Sequence, residues 1–163
     1  MNAHGAIRNA LTGADMISTS YLNDLSDADL LVRPVPGANH IAWQLGHLIA
    51  SENGMTEETC PGSMPALPTG FKEKHDKDTA GSDDRNAFLS KDEYLRLYRQ
   101  QREATLKALD GLSEADLDRP APERLRAFIE TIGGVFVMHS THWLMHAGQW
   151  AVVRRKLGRN PLF

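Results

Sequence analysis

A single cysteine, Cys60, occurs in 163 residues, so no internal disulfide can brace this chain. Cys60 lies in a Pro/Gly-rich stretch with no second thiol nearby, which argues against a redox pair and against a reactive thiol. Basic excess is lacking too: 18 Lys and Arg stand against 21 Asp and Glu, a net charge of -3. Phosphate backbones are bound by clustered Lys and Arg, so no nucleic-acid partner is expected. No apolar run approaches the roughly 20 residues needed to span a bilayer. Met1 to Gly13 also lacks the basic start and apolar stretch of a secretion signal. A cytoplasmic location without a membrane partner is therefore expected. Finally, no alternation of polar and apolar residues is long enough to suggest a strand.

What is present is helical spacing. Ile7, Leu11, Met16, Ile17, Tyr21 and Leu22 place a first helix over about 6–25. Ile41, Trp43, Leu45, Leu48, Ile49 and Met55 place a second over about 39–58, with Asn39 as its expected N-cap. Residues 59–89 change character, with Pro61, Pro65, Pro68, Gly70, Gly81 and the charged run KEKHDKD, and read as a long, partly ordered lid. Ser90-x-x-Glu93 is a capping box that opens a third helix closed by Gly111. A short helical piece is expected after Pro122. A last helix over about 132–157 ends at Gly158, with Arg154, Arg155 and Lys156 at its carbonyl end and Asn160-Pro161 beyond. The length and the 41% hydrophobic content suit one all-α domain over residues 1–163.

One repetition organises these helices. LSDADLLVRPVPG (25–37) matches LSEADLDRPAPE (112–123) with one residue inserted, and each copy joins one expected helix to the next. Two helix-connector-helix halves related by a pseudo-two-fold make a four-helix bundle. The second and fourth helices then become counterparts, and they are the two that carry histidine clusters.

HSTHWLMHAGQW (139–150) holds three histidines. Residues four apart on a helix stack about 6 Å apart, so His142 and His146 can aim at one point. His139 shares their face but lies roughly 10 Å along the axis from His146, so the spacing leaves either 142/146 or 139/142 as the working pair. Two imidazoles need a third ligand to compete with water, and a catalytic site commonly has three protein ligands and an open position. The second helix offers His47 and His40, of which His47 sits deeper among Trp43, Leu48 and Ile49. No Glu follows His142, which excludes the zincin H-E-x-x-H, and no paired Glu-x-x-His supports a di-iron site. One ion is expected. By the same reasoning His4, His40 and His75 are expected to be satisfied polar side chains, and Glu52 lies off the His47 stripe.

GANHIAWQLGHLIASE (37–52) together with HWLMHAGQWAVVRRKLGRNP (142–161) resembles the DinB-like superfamily. The likeness runs the length of the chain and includes the L-S-x-x-x-L-x-x-R-P connectors. It implies a four-helix bundle with a histidine triad. One ligand falls on His47, in Trp43-Gln44-Leu45-Gly46-His47, and two on His142 and His146, in the pattern H-x-x-x-H-x-G-Q. Gln44 departs from the many relatives that have histidine there, and His139 is an extra imidazole. Gly148 inside a helix costs about 1 kcal/mol against alanine, so close approach of a neighbouring helix is expected at it. Gln149 is expected to bond a ligand histidine or the connector backbone.

The resemblance further implies one divalent transition metal, Zn, Ni or Fe, acting as a Lewis acid. Relatives include metal-dependent transferases and isomerases that use low-molecular-weight thiols, and domains fused to iron-dependent sulfoxide synthases. One expectation is an enzyme activating a low-molecular-weight thiol, or water, against a small electrophile, with His139 or His40 as proton carrier. Water activation is the weaker form, because no carboxylate is evidently placed as base. The other expectation is a non-catalytic metal- or ligand-binding stress-response module, a homodimer.

Overall fold

A computed structural model describes residues 1–160 and Leu162. Pro161, expected beyond the last helix, lies outside the described residues. Four long helices carry the chain: α1 (Ala3–Leu22), α2 (Ile41–Thr59), α3 (Lys91–Asp110) and α4 (Ile132–Lys156). Single-turn helices at Phe71–Lys74 and Glu114–Leu117 and four 3₁₀ turns fill the connectors. Among the described residues no strand forms, only an isolated bridge between Pro120 and Thr131. Among the described residues no helix is long and apolar enough to cross a membrane.

Each of the four long helices starts where a side chain can take up an amide proton that the first turn leaves free. Ser90 and Glu93 form the expected reciprocal capping box of α3. At α2 the cap is one residue later than the expected Asn39. His40 is extended (φ -77°, ψ 161°), and its Nδ1 accepts from the Trp43 amide at 3.1 Å. Asn39 instead gives its backbone carbonyl to the Gln44 side chain. At the far end of α4, Gly158 adopts φ +72°, and the Arg159 amide reaches back to the Arg154 carbonyl at 2.9 Å.

The repeated connectors share their local structure. Ser26 and Asp29 exchange amide-to-side-chain bonds of 2.8 and 3.2 Å, and Ser113 and Asp116 exchange bonds of 2.9 and 3.2 Å. In each, the leucine after the aspartate, Leu30 or Leu117, is buried. Beyond the Arg-Pro step the copies diverge. Arg33 gathers the Ala38, Ala80 and Ser82 carbonyls and Asp83, whereas Arg119 pairs with Asp116.

Helix α1 lies along α4, and α2 packs on both α3 and α4. Leu45, Leu48 and Ile49 of α2 meet Tyr94, Leu97 and Tyr98 of α3 and Trp143 and Trp150 of α4 in the main core. Truncating either fully buried tryptophan to alanine costs about 3–5 kcal/mol at such a site. Arg154 is buried rather than facing water at the carbonyl end of α4. It pairs with Asp24 and donates to the Tyr21 carbonyl, tying the end of α4 to the end of α1.

The long 60–89 connector is held down as a strap. Trp43 Nε1 donates to the Asp76 carbonyl and Thr79 Oγ1, and His75 is buried beneath it. His75 Nδ1 donates to the Phe71 carbonyl, and its Nε2 accepts from the Tyr94 hydroxyl, both at 2.7 Å. Room for this ring exists because residue 46 is glycine: a Cβ there would lie 2.0 Å from His75 Cδ2.

Candidate metal centre

Ring nitrogens of His47, His142 and His146, one from each, lie within 4.8 Å of one another, close enough for the three residues to hold a metal ion. His142 and His146 are stacked one turn apart on α4, with ring centroids 5.0 Å apart. His47 comes from α2, its centroid 5.2 Å from that of His142 and 5.6 Å from that of His146. The His47 ring lies parallel to Trp43, 5.0 Å centroid to centroid and tilted by only 7°, which limits the planes it can adopt.

Gln44 fixes His146. Its Oε1 accepts from Trp150 Nε1 at 2.9 Å, and indole N–H can only donate. Its Nε2 donates to the Asn39 carbonyl at 2.7 Å, which can only accept. The amide orientation is therefore settled, and the same Oε1, 2.8 Å from His146 Nδ1, requires that nitrogen to carry a proton. Nε2 of His146 is left with the free lone pair. Gln149 reaches the histidine at one remove, accepting from Gln44 Nε2 at 3.2 Å. Sequence reasoning noted Gln44 only as a departure. Its signal was an amide directly after Trp43 and three residues before His47, placed opposite His146 and Trp150 of α4, a juxtaposition that depends on how the helices pack.

Burial lowers the pKa of all three imidazoles. His142 is pushed to about 4 and His146 to about 3, with each further depressed by neighbouring histidines, and His47 is lowered chiefly by burial. The cluster is thus uncharged at neutral pH, the form in which imidazole binds a metal. On a tetrahedral zinc ion with Zn–N bonds of about 2.1 Å the ligand nitrogens sit about 3.4 Å apart. The donor set fits a three-imidazole site, reached by a closing of at most about 1.5 Å.

The other two histidines nominated from sequence are placed elsewhere. His40 uses both nitrogens, Nδ1 as the cap of α2 and Nε2 toward the Ser82 carbonyl at 3.1 Å. His139 is 1% exposed, bonds Thr56 Oγ1 through Nε2 at 2.9 Å, and leaves Nδ1 without a partner among the described residues. Neither lines the cavity described next. Glu52, off the triad as expected, is buried and accepts from Arg102, Thr105 and Trp143. Burial raises the pKa of Cys60, which keeps it a thiol. Gly148 corrects an expectation. Nothing lies within 4 Å of where its Cβ would be, because it faces outward on α4 rather than toward a neighbouring helix.

A cavity of about 440 Å³ opens on His47 and His142. Its wall includes Met55, Leu125, Phe128 and Met138, with Lys72 and Arg124 also facing it.

An all-α protein with three imidazoles from two helices converging beside a cavity is the class that this geometry defines. Residues 10–150 match the DinB superfamily, and the chain belongs to that family. A solved protein described as "conserved protein of locus from Enterococcus faecalis" has the same fold, with a TM-score of 0.69 at 15% identity, over 98% of this chain and 99% of that one. No curated protein matches the sequence.

Proposed function

We propose that His47, His142 and His146 hold one divalent transition metal ion and that the adjoining cavity receives a small substrate. The observation that carries this reading is the convergence of three neutral imidazoles at the edge of an open cavity. When bound, the ion supplies Lewis acidity that lowers the pKa of a thiol or water and polarises an electrophile. The residues of the chain do the rest. Trp43 restrains the plane of His47, Gln44 selects the tautomer of His146, and the apolar wall excludes water from the reacting end of the substrate.

Among the described residues no fourth His, Cys, Asp or Glu joins the cluster, a feature of sites that keep a position open to substrate. That favours catalysis over a closed structural site. No carboxylate lines the cavity among the described residues, so nothing there serves as general base for water. Transfer of a low-molecular-weight thiol to a small electrophile therefore fits better than hydrolysis.

The test is elemental analysis of protein purified without a histidine tag, followed by thiol-transfer assays with and without chelator. One equivalent of metal is expected in the wild type, with loss in His47→Ala, His142→Ala and His146→Ala. Full metal content in any two of these variants would remove the triad from consideration.

A further inference from the structure

The cavity beside the triad carries a charge opposite in sign to that of the chain. The protein has a net charge of -3. Yet the charged side chains on the cavity wall are Lys72 and Arg124, with no Asp or Glu among the described lining residues. The two cations come from different connectors, each held by buried neighbours. Lys72 sits in the single-turn helix Phe71–Lys74, anchored by buried Phe71 and by His75. Arg124 sits in the 3₁₀ turn Glu123–Leu125, anchored by fully buried Leu125.

Neither cation is fully used by the fold. Arg124 pairs with Glu58 on one edge of its guanidinium, and its side chain remains 65% exposed. The Lys72 ammonium has no hydrogen bond among the described residues, although its charge helps to lower the pKa of the nearby Glu57. The nearby Glu57 carboxylate is already taken by the Gly62 and Met64 amides. The rest of the wall is mostly apolar, with Met55, Leu125, Met138 and Phe128 beside the hydroxyl of Ser51. Phe128 is 61% exposed, an apolar ring left largely in water. An apolar ligand lying in the cavity would cover it.

We propose that the cavity binds a small amphipathic anion, a carboxylate on a short apolar body. Its acid group meets Lys72 and Arg124, and its apolar part lies along Phe128, Leu125 and the two methionines. This deepens the reading above by naming the substrate class of the same site, and it rests on that reading only for the chemistry at the histidines. Binding itself needs the cavity alone.

The experiment titrates octanoate, octanol and octylammonium into full-length protein freed of metal with chelator, by calorimetry at low salt. Octanoate should bind about tenfold tighter than octanol, the amount that two partly exposed ion pairs supply together, with octylammonium weakest. The preference should shrink as salt rises. In Lys72→Met/Arg124→Leu, octanoate should fall to the affinity of octanol while octanol is unchanged. Lys72→Arg/Arg124→Lys should restore the difference, and Phe128→Ala should weaken both ligands. Equal binding of octanoate and octanol, failure of both to bind, or a preference that survives the double substitution would overturn the proposal. If the anion preference appears only after metal is added back and persists in Lys72→Met/Arg124→Leu, the carboxylate sits on the ion. That outcome sinks this inference and spares the triad. A preference abolished by the double substitution supports the inference whether or not the protein as first purified, before chelator, contains metal; absence of metal there, and its failure to bind when added back, would sink the triad alone.

Discussion

Gly46 and His75 are in contact across the strap: the imidazole occupies the space in which a side chain at residue 46 would begin, 2.0 Å from its Cβ position. The glycine next to the nominated ligand His47 is therefore needed for packing. It lets the 60–89 connector, and Lys72 with it, lie flat on α2.

Gly46→Ala must displace a ring that is hydrogen-bonded at both nitrogens. A loss of about 1–3 kcal/mol is expected from overpacking, read in urea melts. Proteolysis should also become faster within 60–89. An unchanged midpoint would mean that the strap does not press on α2.

Gln44→Leu should lower metal affinity about 10–100-fold, the usual effect of removing a partner that orients a ligand histidine. Long-range ¹H–¹⁵N spectra of the metal-free protein give a separate readout. His146 should be the Nδ1–H tautomer in the wild type and lose that preference in the variant. Gln44→Glu keeps the acceptor oxygens and should retain the tautomer. A wild-type His146 protonated at Nε2 would contradict the assignment.

Acid should destabilise the metal-free protein. His40, His47, His75, His139, His142 and His146 all have pKa values lowered, mainly by burial. For His139, faced by Glu52, Arg102 and His142, the value falls from 6.5 to about 4. The unfolded chain binds that proton first as pH drops. The contribution is therefore full above about pH 6.5 and is lost as the pH falls toward 4. His139→Gln can keep the bond to Thr56 and should make the stability-versus-pH slope shallower by up to about 1.4 kcal/mol per pH unit in that window. Urea titrations at several pH values between these limits check it.

Arg102 is 4% exposed between Glu52, at 2.9 Å, and Asp15, at 3.5 Å. Arg102→Met leaves Glu52 buried without its cation and should cost about 3–5 kcal/mol, with part recovered in Arg102→Met/Glu52→Gln, which removes the charge and keeps an acceptor for Trp143 and Thr105. Metal content of the folded variants should be unchanged.

Gly148→Ala should stabilise by about 1 kcal/mol, because alanine is the better helix former and the added methyl meets nothing. A destabilised variant would show that this outward face of α4 is covered in solution.

The sequence by itself determined the helices, because a 3.6-residue apolar period and side-chain caps are local properties written in neighbouring residues. Ser90-x-x-Glu93, the paired Ser-x-x-Asp connectors and Gly158 all sit where those rules place them. The same one-turn spacing put His142 over His146. What it could not decide was anything that depends on a partner distant in the chain. Asn39 is the better cap by residue type, yet His40 Nδ1 takes the Trp43 amide, and Gly148 looked like a packing glycine until its surroundings were known. His75 sits in a charged run that reads as solvated loop, yet Gly46 and Tyr94 bury it. Only the tertiary structure brought Gln44 against His146 and Trp150, and Lys72 and Arg124 to one cavity wall. Those contacts join residues from about 50 to more than 100 positions apart, and their energies depend on side-chain directions that packing sets and no local pattern encodes.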